Sequence, residues 1–248
     1  MSAKRTSKPL TIENRWDILY RDYPEVYEEF ASVPSMQPEE TRLHIRFDLK
    51  GKDIVDIGSG SGRSTFYFAQ YAKSVIGVEP EKAMRELAER EAIRRGISNV
   101  RFLKGSGQKI PLPDDSADVV SAITAAFHPI EEIVPAFIRE ATRVLRPGGL
   151  ILVEDITPGW YGGELHDIIQ DPNTDTLSTA RNRMYIDVHG FSYEDVEKIK
   201  DYESLDKIIR TYGFIFGMNA INYIRKQNKT SITWRFRRYY KVIEKQVN

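Results

Sequence analysis

Between about residue 52 and residue 156, short runs of β-branched and apolar residues alternate with longer amphipathic ones. The short runs are Asp53 to Ile57, Ser74 to Val78, Val100 to Leu103, Asp118 to Ile123 and Leu150 to Asp155. Their near-continuous apolar character predicts strands buried on both faces, as parallel strands joined by crossover helices are. In Ile133 to Arg146 the residues Val134, Phe137, Ile138, Ala141 and Leu145 share one helical stripe, and Pro147 with Gly148 is expected to stop that helix. Glu81 to Arg95 places Met84, Leu87, Ala88 and Ala92 on one face, with Gly96 where a left-handed cap belongs. Ser231 to Lys241 alternates Ile232, Trp234 and Phe236 with Thr233, Arg235 and Arg237, the period of a strand returning late and antiparallel to the sheet.

The flanks are patterned differently. Residues 10 to 40 read as helical and aromatic, with Trp16, Tyr20, Tyr23, Tyr27 and Phe30, broken by Pro24, Pro34 and Pro38. The Gly/Pro-rich Thr157 to Gly163 and the polar Asp171 to Asn182 separate short possible helices, so residues 157 to 200 are the place for an insertion or lid. The expected organisation is a tail and helical cap over 1–45, an α/β core over 46–156, a lid over 157–228, and a closing strand and tail over 229–248. No internal repeat or low-complexity tract is visible.

Composition narrows the function classes. At 248 residues, 41% hydrophobic and 29% charged, the chain suits one large α/β domain or a domain with an appendage, not a disordered polymer. Thirty-six basic residues balance thirty-six acidic ones, so global attraction to nucleic acid or anionic membrane is not expected. The absence of cysteine excludes a disulfide framework, a thiolate nucleophile and a cysteine zinc site. Met1 to Leu10 is basic but precedes polar residues, unlike a secretory signal, and Val119 to Phe127 is about half of the ~20 residues a spanning helix needs. A cytoplasmic protein, monomer or homodimer, is the expectation.

The most informative stretch is Ile54 to Thr65, a buried run leading straight into Gly58, Gly60 and Gly62, with a helix expected from about Arg63. Alternate glycines allow a sharp turn and close approach of backbone to a ligand. The dinucleotide fingerprint wants its third glycine where this chain has Arg63, and no Gly-Lys-Ser/Thr follows for a phosphate loop. A second run ends Val75-Ile-Gly-Val-Glu79, placing a carboxylate beside that loop, where it can accept from both hydroxyls of a ribose or cap the helix beginning near Pro80.

Strand, glycines, helix and acidic strand end together resemble a class I S-adenosylmethionine-dependent methyltransferase, of the branch that includes quinone-biosynthesis and other small-molecule enzymes. Four blocks within about residues 50 to 156 carry the resemblance: Asp56-Ile-Gly-Ser-Gly-Ser-Gly62; Val78-Glu79-Pro80; Gly105 through Asp118; and Arg139 through Gly149. It implies a Rossmann-like, doubly wound, mostly parallel sheet with S-adenosylmethionine as cofactor. By that resemblance Asp56, Gly58 and Gly60 surround the methionine part, Glu79 holds the ribose hydroxyls, Ser106 and Gly107 lie at the adenine edge with Gln108 able to help, Ala122 and Ile123 line the methionine side, and Ser59, Gly62 and Pro80 are further cofactor-binding candidates. One departure stands out: this branch usually carries an acidic residue where this chain has Ser106.

A sulfonium methyl is already activated, so alignment with the acceptor carries most of the reaction, and a general base is needed only for acceptors that must lose a proton. His128, in Ala125-Ala-Phe-His-Pro129 after the fourth run, is the candidate base; its alternative is a pocket-lining or backbone-bonding role. His166 and His189 fall in the expected lid and His44 outside it, with no metal-ligand spacing among them. Trp16, Tyr20, Tyr23 and Tyr27 either close over cofactor and substrate or simply pack the extension. Trp234 through Lys241 invites an RNA reading, which strand alternation explains more simply as aromatics in and arginines out. The expected function is methyl transfer to a small-molecule acceptor; the alternatives are an RNA or protein methyltransferase and a non-catalytic S-adenosylmethionine-binding protein.

Overall fold

The computed structural model describes residues 9–33, 43–125, 127–169 and 172–244. Pro34 and Pro38, expected as helix breaks, and Asp171, which opens the polar run, lie outside them. The helices α1 (Trp16–Asp22), α2 (Pro24–Ala31) and the short α3 (Leu43–Arg46) precede the sheet. The strands β1 (Asp53–Ile57), β2 (Ser74–Val78) and β3 (Val100–Leu103) coincide with the first three apolar runs, and β4 (Ala117–Ile123) begins one residue early. Between them run α4 (Arg63–Ala69), α5 (Lys82–Arg95) and α6 (Ile130–Val144). Gly96 ends α5 at φ +66°, the left-handed cap expected of it.

The fifth strand differs. β5 spans Leu145–Ile156, so α6 stops at Val144, before the proline. Leu145 is extended (ψ 139°) and pairs with Ala117 across a register shift, prolonging the ladder. Its side chain is fully buried, which is why it fits a helical stripe in sequence while standing in a strand.

The expected lid segment contains α7 (His166–Ile169), α8 (Pro172–Asn182), a π-helical turn over Arg183–Val188 and a strand that sequence reading did not foresee, β6 (Ser192–Asp201). The run Ser-Tyr-Glu-Asp-Val-Glu-Lys-Ile-Lys-Asp lacks an apolar face, because β6 lies at the sheet's edge. The last strand, β7 (Ser231–Val242), runs antiparallel to β5, from Leu150↔Val242 to Ile156↔Phe236. The seven strands stand in the order β3-β2-β1-β4-β5-β7-β6, with β1 through β5 parallel in every pairing among them.

The chain divides into two compact units. One comprises Thr41–Pro158, Thr176–Val196 and Phe236–Asn248. On one face of its sheet Val55, Ile57, Val120, Ala122, Ile151 and Val153 bury against Val134, Phe137 and Ala141 of α6; on the other Ile54, Val75, Val119 and Leu152 meet Leu49 and Phe68. Each of the larger of these side chains, the valines, leucines, isoleucines and phenylalanines, contributes about 1.5–3 kcal/mol by leaving water. The other unit comprises Met1–Glu40, Gly159–Asp175 and Glu197–Arg235. It is built on rings: Phe216 lies 6.0 Å from Trp16, 5.9 Å from Phe30, 4.5 Å from Tyr212 and 6.0 Å from Trp234, centroid to centroid. Trp16 Nε1 donates to the Tyr161 hydroxyl at 2.6 Å, so this aromatic residue of α1 serves the unit's own packing. Among the described residues no helix is long and apolar enough to cross a membrane.

Candidate cofactor site

The strand order reverses direction between β1 and β4, since the chain proceeds from β1 outward to β3 and then returns to β4 on the other side. In open α/β sheets the crevice at the carboxyl ends of the strands beside such a switch is where ligands bind. The glycine loop leaves β1 at that end. Gly58, Gly60 and Gly62 have φ of +67°, +53° and +92°, a region other residues enter at a cost of about 1–2 kcal/mol. Their reasons differ. A Cβ on Gly58 would stand 2.9 Å from the Cβ of Ala125, and one on Gly62 2.7 Å from the Phe66 ring, so those two are required by protein packing. Among the described residues nothing beyond its chain neighbours lies within 4 Å of a Cβ placed on Gly60, which is therefore the glycine whose open side can face a ligand.

Glu79, at the end of β2, is buried, with 7% of its surface exposed. Its Oε2 accepts from the amide of Gly60 and its Oε1 from the amide of Glu81, both at 3.0 Å. The carboxylate thus joins the glycine loop to the residue before α5. A carboxylate offers about four acceptor sites, so two remain for a pair of ribose hydroxyls. Arg85 fixes this turn from below, its Nη1 donating at 2.7 Å to the carbonyls of Glu79 and Pro80, while Pro80 itself is exposed.

Asp56 sits differently from a ligand-facing group. It is 1% exposed, and Ser64 Oγ, Thr65 Oγ1 and Ser121 Oγ donate to its carboxylate at 2.6, 2.7 and 3.1 Å. Burial pushes its carboxyl above the usual carboxylate range, and the three hydroxyls oppose that rise. Asp56 therefore ties the end of β1 to the first turn of α4 and to β4. Ser64, Thr65 and Ser121 were missed in sequence, where isolated serines and threonines near a glycine loop carry no pattern. Ser59 is also buried; among the described residues its Oγ has no hydrogen-bond partner, and it stands 2.8 Å from where a Cβ on Gly77 would be.

Ser106 and Lys109 exchange backbone hydrogen bonds, at 3.3 and 3.1 Å, forming a tight turn with Gly107 buried and Gln108 exposed at its tip. A Cβ on Gly107 would stand 3.2–3.3 Å from Phe127, Phe137 and Ile57, so the turn is seated on the end of β1 and on α6. Ala122 is fully buried and Ile123 half-buried at the end of β4. Directly after them Thr124 has φ +51°, a strained turn held by its amide bonding Glu154 O at 2.7 Å. His128 follows, exposed and without a hydrogen bond to the described residues. The other histidines stand elsewhere: His44 stacks on Tyr71 at 3.6 Å, His166 Nδ1 bonds Tyr161 O at 3.1 Å, and His189 is held below its usual pKa by burial, with the Lys241 ammonium adding to that shift.

The basic cluster of β7 is only partly as expected. Arg235 pairs with Glu197 at 2.6 Å and Arg237 with Asp195 at 2.7 Å, both on the charged β6. Arg238, expected to point outward, is 2% exposed and pairs with Glu154 of β5 at 2.9 Å and Glu194 of β6 at 3.2 Å. An interior strand between two acid-bearing neighbours can bury a guanidinium that alternation alone would put in solvent.

Residues 55–153 match the family described as methyltransferase domain. An uncharacterized methyltransferase of Bacillus subtilis, YcgJ, is 34% identical over 131 residues, covering 53% of this chain and 47% of that protein. This region belongs to the class I S-adenosylmethionine-dependent methyltransferases. A putative methyltransferase of Dictyostelium discoideum is 30% identical over 188 residues, 75% of this chain and 64% of its own length. The chain therefore spans about half to two thirds of these relatives. The solved structure of a SAM-dependent methyltransferase from Aquifex aeolicus shares the fold at TM-score 0.57 and 17% identity, covering 88% of this chain and 98% of that one. The family's cofactor is S-adenosylmethionine.

Proposed function

We propose that this methyltransferase-family chain transfers the methyl group of S-adenosylmethionine to a small-molecule acceptor. The observation that carries the reading is the joined pair of Gly60, open on its Cβ side, and Glu79, buried with acceptor capacity to spare, at the switch point of the sheet. S-adenosylmethionine supplies a methyl group on a positively charged sulfur whose departure leaves a neutral thioether. The chain's own residues hold and align. Glu79 accepts from ribose hydroxyls, the amides of the Gly58–Gly62 loop line the methionine end, and Asp56 keeps that loop in place without touching the ligand. The Ser106–Gln108 turn meets adenine. His128, exposed just past the end of β4, is the group able to take a proton from an acidic acceptor.

A small acceptor is favoured over RNA by the ion pairing of β7: Arg235, Arg237 and Arg238 each face a carboxylate of the same chain, so the three arginines that invited a phosphate reading are already paired.

The test is calorimetric titration with S-adenosylmethionine, S-adenosylhomocysteine and, as control, NAD, followed by methyl-labelled turnover on a panel of phenols, carboxylic acids and amines beside a structured RNA. Micromolar binding of the first two alone and label in a small molecule is the expected result. Binding of NAD alone would sink the cofactor assignment, and label only in RNA would sink the acceptor.

A further inference from the structure

The loop between β3 and β4 has no regular secondary structure beyond the Ser106–Lys109 turn, yet one side-chain pair on α6 fastens it at several points. Glu140 Oε2 accepts from the amide of Ile110 at 2.9 Å. Arg143 Nη2 donates to Ile110 O at 3.0 Å and Nη1 to Leu112 O at 2.8 Å and to Asp114 Oδ1 at 2.7 Å. The pair is also bound to itself, Arg143 Nε to Glu140 Oε1 at 2.9 Å and Nη2 to Glu140 Oε2 at 2.8 Å. The guanidinium fork is thereby used in full, and its planar geometry fixes two carbonyls and two carboxylates at once.

These bonds land on residues 110–114, immediately after the turn that the family resemblance assigns to adenine. This chain carries Ser106 where a carboxylate would reach the base, so recognition of adenine rests on where the turn itself is held. Preorganising a binding loop raises affinity by removing the entropy of ordering it on binding.

We propose that Glu140 and Arg143 are positioning residues for adenine, setting the Ser106–Lys109 turn from α6 without touching the cofactor. The inference rests on the S-adenosylmethionine reading above. It separates two roles that a general stabilising pair would blend, since its effect is confined to the base end of the ligand.

The experiment compares S-adenosylhomocysteine with S-ribosylhomocysteine, the same molecule without its adenine, by calorimetry and by competition, on wild type, Arg143→Met, Arg143→Lys, Glu140→Gln and Asp114→Asn, with each variant's folding checked by circular dichroism. Arg143→Met is expected to weaken S-adenosylhomocysteine about tenfold or more, the scale of one charged hydrogen bond, and to leave S-ribosylhomocysteine within about twofold. Arg143→Lys recovers part of the loss, Glu140→Gln reproduces part of it, and Asp114→Asn, which takes the charge from one exposed bond, changes little. Equal loss for both ligands, or unchanged S-adenosylhomocysteine affinity in folded Arg143→Met and Glu140→Gln, overturns the proposal. Failure of wild type to bind S-adenosylhomocysteine overturns the cofactor reading beneath it, a different result from either.

Discussion

The carboxylate of Glu79 and the amide of Gly60 are bonded at 3.0 Å, which locks the end of β2 to the middle of the glycine loop. The side chain assigned to the ribose therefore also sets the height of the loop assigned to methionine. Glu79→Ala loses the ribose acceptor and the loop's anchor together. Calorimetry should show S-adenosylhomocysteine binding weakened about ten- to hundredfold, as expected for charged hydrogen bonds of about 1.5–3 kcal/mol. Glu79→Gln, which keeps one acceptor oxygen, should fall between.

Gly58 and Gly60 make opposite predictions. Gly58→Ala brings a methyl against Ala125 at 2.9 Å and should lower the melting temperature. A Cβ on Gly60 has open space among the described residues, so Gly60→Val should fold, at a backbone cost of about 1–2 kcal/mol or more, while cofactor binding is lost. Unchanged affinity in folded Gly60→Val would remove the central assignment.

Much of this was readable in the sequence, because burial on both faces leaves apolar runs whose ends can be counted; β1, β2 and β3 match residue for residue. The edge strand β6 was not readable. Its residues pair side chains with β7 instead of burying a face, and Glu197 and Asp195 show no meaning until Arg235 and Arg237 stand beside them. In the candidate site, the placement of Glu79 beside the glycine loop was legible from motif order, whereas the three hydroxyls around Asp56 come from two elements and meet only in space.

Asp56 gives a pH test. Its folded pKa lies above its unfolded one, so the native state holds its proton more tightly. Stability from this group is fully present below the unfolded pKa and declines as pH rises through the folded value. Asp56→Asn does not titrate. The stability gap between wild type and Asp56→Asn, taken from urea unfolding, should therefore be larger near pH 4 than near pH 7. A gap that widens with pH contradicts the assignment.

Arg238 and Glu154, exposed at 3% and 2% of their side chains, form the most buried ion pair described here. Arg238→Met takes the guanidinium away from the buried Glu154 carboxylate and should cost about 3–5 kcal/mol in urea unfolding, whereas Arg238→Met with Glu154→Gln should recover a large part. Recovery absent from the double variant would mean that packing, not charge, holds this strand.

The charges of β6 have one more effect. A sheet that ends in a free strand invites further strands to add to it, in the manner of fibrils. Here six of ten residues at that end are ionised, with acids and lysines side by side, and any strand added there would have to strip water from them. The same residues that hold the arginines of β7 also close the sheet to growth, so at this edge protection against aggregation is built into the ion pairs themselves.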